Sequence, residues 1–163
     1  MSQFQLSVIL AGHELDVKAV HSPTEDVIIS SSRDKTVRKW SRISSNSFGE
    51  SNLFLGHNHF VNSVAYLRPT AEHPGGLIIS GSSDKSINVF DADQSQEPIY
   101  TLIGHQDNVC ALDITPSGFI VSGSWDKTAK IWKNWQESYT LTGHSHAVWA
   151  VLAIEDDLIL TGK

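Results

Sequence analysis

SGSWDKTAKIW, residues 122–132, reads as a strand end, a tight turn and the start of a second strand. Ser122, Gly123 and Ser124 are small enough for close strand packing, the Asp126-Lys127 pair signals a turn, and Thr128 to Trp132 alternates as a half-exposed strand does. The same arrangement stands at SSRDKTVRKW, 31–40, and at SGSSDKSINVF, 80–90, with an aromatic residue (Trp40, Phe90, Trp132) six positions after each aspartate. Working back from each turn, an apolar triplet runs into small residues: VIISSS at 27–32, LIISGS at 77–82, FIVSGS at 119–124, and once more LILTGK at 158–163. These predict a central strand per repeat. Further back lies a Gly-His pair, at 12–13, 56–57, 104–105 and 143–144, spaced by 44, 48 and 39 residues. Four residues after each histidine comes a valine (Val17, Val61, Val109, Val148), and three further on an apolar residue (Val20, Val64, Leu112, Val151), which predicts a buried first strand. NLFL at 52–55, YTLI at 100–103 and YTLT at 139–142 supply a fourth strand leading into the next Gly-His.

Four short antiparallel strands at a period near forty, ending in an aromatic residue, form the WD-repeat pattern of a β-propeller. The fold expected is therefore all-β: a partial propeller of about three and a half blades. Residues 12–55, 56–103 and 104–142 make the first three blades and 143–163 the first half of a fourth. Residues 1–11 provide the strand that closes the last blade of a ring, and the chain reads as the N-terminal piece of a longer protein.

The recurring polar residues have a structural chemistry. A carboxylate accepts one imidazole N–H, the other ring nitrogen meets a hydroxyl, and that hydroxyl accepts from an indole N–H. The expected columns are His13, Ser30, Asp34 and Trp40 in the first blade and His105, Ser122, Asp126 and Trp132 in the third, with His144 and Thr161 beginning a fourth. The second blade has His57, Ser80 and Asp84, but Phe90 has no donor, so its column ends one bond early. A Ser/His/Asp set repeated in blade after blade is explained by structure, not by nucleophilic catalysis.

Other chemistries find little support. GHSHA at 143–147 nearly spells a nucleophile elbow but leads into a valine-rich strand rather than a helix. The pairs His57/His59 and His144/His146 each lose one member to a column and have no carboxylate at ligand spacing, so no metal site is expected. Gly81 and Gly123 sit in no phosphate-binding arrangement, and no cofactor or small-molecule substrate is expected. The 163 residues carry a formal charge of -6 with no basic run, which argues against nucleic acid and against an anionic membrane surface. Cys110 is the only cysteine, so no disulfide forms within the chain and a reducing compartment is favoured. With no basic leader and no apolar run of spanning length at its start, a cytoplasmic protein, with the nucleus as a second compartment, is expected.

At a finer level the chain resembles the phospholipase A-2-activating protein family of ubiquitin-binding WD-repeat proteins. The resemblance rests on GHELDVK at 12–18, SRDKTVRKW at 32–40, GHNHFVNSV at 56–64, HPGGLI at 73–78, PIYTLIGH at 98–105, NVCAL at 108–112, SGSWDKTAKIW at 122–132 and GHSHAVWAV at 143–151. It implies a seven-bladed propeller, within the usual range of blade numbers, followed in complete members by a ubiquitin-binding domain and an armadillo-like domain that binds an AAA ATPase. Neither C-terminal domain matches any part of these residues; the role implied here is non-enzymatic, with ubiquitin or ubiquitylated proteins as partners in ubiquitin homeostasis and ubiquitin-dependent degradation, and the alternative is a generic WD-repeat scaffold that binds another protein or peptide. If each histidine marks the mouth of its blade, the residues three and five beyond it and the one before the turn aspartate line one rim. These are Asp16, Lys18 and Arg33; Phe60, Asn62 and Ser83; Asn108, Cys110 and Trp125; and Trp149. An exposed aromatic cluster there, led by Phe60 and Trp125, suits a small apolar patch such as ubiquitin's.

Overall fold

The computed structural model of the chain describes residues 8–94 and 96–163. Among them run fourteen strands and no helix. The first sheet is β1 (Val17–Thr24), β2 (Val27–Ser32), β3 (Val37–Ser44) and β4 (Ser47–Phe54); the second is β5 (Val61–Leu67), β6 (Leu77–Ser82), β7 (Ser86–Asp91) and β8 (Tyr100–Ile103). The third is β9 (Val109–Ile114), β10 (Ile120–Ser124), β11 (Ala129–Lys133) and β12 (Gln136–Leu141), and a two-stranded sheet pairs β13 (Ala150–Ala153) with β14 (Ile159–Gly162). Every sheet is an antiparallel meander in which neighbours in sequence are neighbours in space. The first strands stand side by side, β1 against β5, β5 against β9 and β9 against β13, so the sheets fan out as successive blades. Of the expected closing strand at 1–11, residues 1–7 lie outside the described ones, and residues 8–11 take no regular structure.

The blades are held together by apolar residues that alternate along the central strands. In β6, Ile78 faces the first blade and Ile79 the third, because successive side chains of a strand point to opposite faces. One core therefore joins Ile29, Val37 and Phe54 of the first blade to Val61, Ile78 and Phe90 of the second. The other joins Leu77, Ile79, Ile87 and Val89 of the second to Val109, Ile120 and Trp132 of the third. Phe90 stands against Phe54 with ring centroids 5.2 Å apart, so the residue that lacks an indole donor still fills its inter-blade position.

Blade position governs burial more than sequence pattern does. β7, whose alternation predicts a half-exposed strand, is buried throughout because a blade covers each of its faces. β1, expected to be buried, leaves Val17 50% and Val20 64% exposed, since only the second blade packs on it.

Candidate functional site

Each turn aspartate sits between β2 and β3, β6 and β7, or β10 and β11, where it meets the Gly-His segment that enters its blade. His13 Nδ1 donates to Asp34 Oδ2 at 2.7 Å, Ser30 Oγ meets His13 Nε2 at 2.8 Å, and Trp40 Nε1 donates to Ser30 Oγ at 2.8 Å. The third blade repeats this with His105, Asp126, Ser122 and Trp132 at 2.7, 2.7 and 2.8 Å. In the second, His57 reaches Asp84 at 2.9 Å and Ser80 at 2.8 Å, and Phe90 offers nothing to the serine. His144 Nε2 meets Thr161 Oγ1 at 2.7 Å. The Nδ1–H bond to carboxylate fixes the tautomer, leaving Nε2 as acceptor for the hydroxyl.

Sequence reasoning missed six further members of these columns. Thr36, Ser86 and Thr128 donate their hydroxyls to the second oxygen of the aspartates at 2.6, 2.5 and 2.6 Å. Ser32, Ser82 and Ser124 accept the aspartates' backbone N–H at 3.0, 3.0 and 3.1 Å. The signal was present: a hydroxyl stands two residues after, and two before, every turn aspartate. Burial pushes the Asp34 and Asp126 carboxyls up, but hydrogen bonds from Thr36 and His13, and from Thr128, Gln106 and His105, outweigh it and hold each at about 2. Asp84 is held low by the same balance of burial against bonds from His57 and Ser86. Burial lowers the pKa of His105 against the opposing pull of Asp126, keeping the imidazole neutral. Within the columns these groups are spent on one another.

The rim residues come together in a continuous band across all four blades. Asp16 pairs with Arg33 at 3.0 Å, and the Arg33 guanidinium lies 5.4 Å from the centre of the Phe60 ring. Asn62 Nδ2 donates to Ser83 Oγ at 2.8 Å and to Asn108 Oδ1 at 2.7 Å, tying the second blade to the third. Trp125 and Trp149 meet edge to face with centroids 5.3 Å apart, joining the third to the fourth while remaining 44% and 57% exposed. Lys18 is exposed. Two of the expected rim residues face inward instead. Asn108 is buried, and half-buried Cys110 donates its thiol to Val148 O at 3.1 Å, with burial pushing its pKa up to about 11. Both hold blade junctions rather than offering a polar group to a partner, because Asn108, just before β9, and Cys110, within it, lie between two neighbouring blades.

A β-bulge sets the rim's geometry. The register of β1 with β2, β5 with β6 and β9 with β10 slips between Val17 and Ala19, between Val61 and Ser63, and between Val109 and Ala111. The extra residue in each is the one five beyond the histidine, Lys18, Asn62 or Cys110, and a bulge re-aims its side chain. The sequence carried the sign in the apolar pair spaced by three, which a regular strand of period two would place on opposite faces.

The chain belongs to the WD domain, G-beta repeat family, which it matches at residues 4–41, 49–91 and 96–133. Its fold is thus that of a WD-repeat β-propeller. Over 155 residues, 92% of the chain, it is 44% identical to phospholipase A-2-activating protein of Xenopus laevis, and over 139 residues, 85% of the chain, 38% identical to ubiquitin homeostasis protein lub1 of Schizosaccharomyces pombe. The chain spans 19% of the length of each. The solved WD40 β-propeller domain of Doa1 superposes with a TM-score of 0.81 at 37% identity, covering 96% of this chain and 51% of that one. The family resemblance read from the motifs therefore holds over most of the chain.

Proposed function

We propose that the rim from Arg33 to Trp149 binds ubiquitin or a ubiquitylated protein. The observation that carries this reading is the band itself: Phe60 under the Arg33 guanidinium at one end and two exposed, mutually braced indoles, Trp125 and Trp149, at the other. An apolar patch on the partner would lie on the exposed indoles. Tryptophan contributes most in such contacts because it removes a large apolar area from water at little conformational cost. The similarity to lub1, a ubiquitin homeostasis protein, supports this partner. Any ATPase contact of the longer relatives is assigned to none of these residues.

Titration of isotope-labelled ubiquitin with the chain tests the proposal. Trp125→Ala and Phe60→Ala, each shown to be folded by circular dichroism, should weaken binding at least about tenfold. Ser45→Ala, in the β3–β4 turn at the other end of the blade, should leave it unchanged. Parental affinity in both aromatic variants overturns the assignment.

A further inference from the structure

At the end of the blades away from the turn aspartates, the second and third blades border an open cleft of about 380 Å³. Its walls are Leu67, Leu77, Tyr100 and Trp135, and its mouth carries Glu72 and His73. Tyr100 and Trp135 lie parallel, with centroids 4.8 Å apart and planes 14° from one another. The indole stands there on an unfavourable backbone. Asn134 and Trp135 form the two-residue turn between β11 and β12, and both have positive φ, 49° and 64°. Such turns favour Asn followed by Gly, and a bulky residue at the second position is strained. Packing on Tyr100 and on the core between the blades offsets that strain and keeps the half-exposed indole at the lip of the cleft.

The charge at this mouth is negative. His73 donates Nδ1–H to Asp91 at 2.8 Å, and against the effect of burial this bond and backbone N–H donors hold the Asp91 carboxyl below its usual range. Glu72 is exposed and forms no ion pair among the described residues. No lysine or arginine lines the cleft. An occupant must therefore present a flat, weakly hydrated cation that stacks on an aromatic face while a carboxylate takes its N–H groups, which describes guanidinium better than ammonium. We infer that this cleft receives an arginine side chain from a peptide segment of another protein, its guanidinium over the Tyr100–Trp135 pair and facing Glu72. The site is separate from the rim, and its occupation does not depend on what the rim binds.

The test uses immobilised octapeptide pools of random flanks with arginine, lysine or glutamine fixed at the central position, probed with the 163-residue chain. The arginine pool should retain at least about tenfold more protein than either other pool. Because the chain carries a net charge of -6, plain electrostatic attraction would favour lysine and arginine alike, and equal retention by those two overturns the inference. Trp135→Gly removes the indole while giving the turn the residue its backbone favours, so the variant should fold and lose the arginine preference. Glu72→Gln should lose it too. If Trp135 serves only to fill the gap between blades, Trp135→Gly lowers the melting temperature and leaves the preference for arginine intact, which also overturns the inference.

Discussion

A serine that satisfies two partners differs from one that satisfies a single partner, and the blades contain both. Ser122 Oγ stands between the His105 ring and the Trp132 indole, whereas Ser80 Oγ meets His57 with Phe90 where the indole would be. Both serines are fully buried, so neither loses its partners to water when truncated. Removing a hydroxyl from this setting leaves a buried imidazole nitrogen unpaired in each blade, and in the third blade an indole N–H as well. An unpaired buried group costs about 1–3 kcal/mol. Ser122→Ala should therefore destabilise more than Ser80→Ala, by about one such group. Urea unfolding of the two variants measures the difference, and equal losses would mean the indole bond contributes nothing. The half-buried Cys110 thiol, bonded to Val148 O, is a packing residue with little thiolate character.

At the scale of the strand and turn, three lysines adopt a conformation that side chains avoid. Lys35, Lys85 and Lys127 follow the turn aspartates with φ of 72°, 75° and 72°. What holds them there is the aspartate, whose side chain accepts the backbone N–H two residues on, from Thr36, Ser86 and Thr128, and so closes the turn around the lysine. Glycine takes this region without a Cβ clash, so Lys85→Gly should raise stability by up to about 1 kcal/mol while Lys85→Ala changes little. Paired thermal melts decide it: a lowered midpoint in the glycine variant would mean the lysine side chain contributes more than its backbone costs. Strands and turns were legible in the sequence because period-two alternation and Asp-Lys turns recur at fixed offsets. Which strands are buried was not, since β7 and β1 differ by the number of neighbouring blades rather than by pattern. The columns' histidines and aspartates could be read from their spacing. The inward turn of Asn108 and Cys110 could not, because it follows from a bulge and from contacts between blades far apart in sequence.

Across the whole molecule the blades form an arc with two unlike ends and a well-filled middle. The second blade is covered on both faces, and β6 and β7 are buried from end to end. The outer blades are covered on one face each. On the first, Val17 and Val20 face solvent; on the fourth, Leu152 and Leu160 are 52% and 53% exposed, and among the described residues no strand pairs with the outer edge of β14. A closed propeller covers such faces with neighbouring blades, and a repeat array without capped ends leaves them to find other partners. An apolar strand with a free edge pairs readily with another chain. The 163-residue chain should therefore self-associate as its concentration rises, through the β13–β14 face, β1, or both. Leu160→Lys places a charge on that face next to the open edge and should shift the distribution toward monomer, since an edge lysine discourages pairing and its burial against another apolar face is costly. Sedimentation velocity over a hundredfold range of concentration measures this. A parent chain that stays monomeric throughout that range would mean the exposed faces are not adhesive, and an unchanged distribution for Leu160→Lys would place the contact at β1 instead.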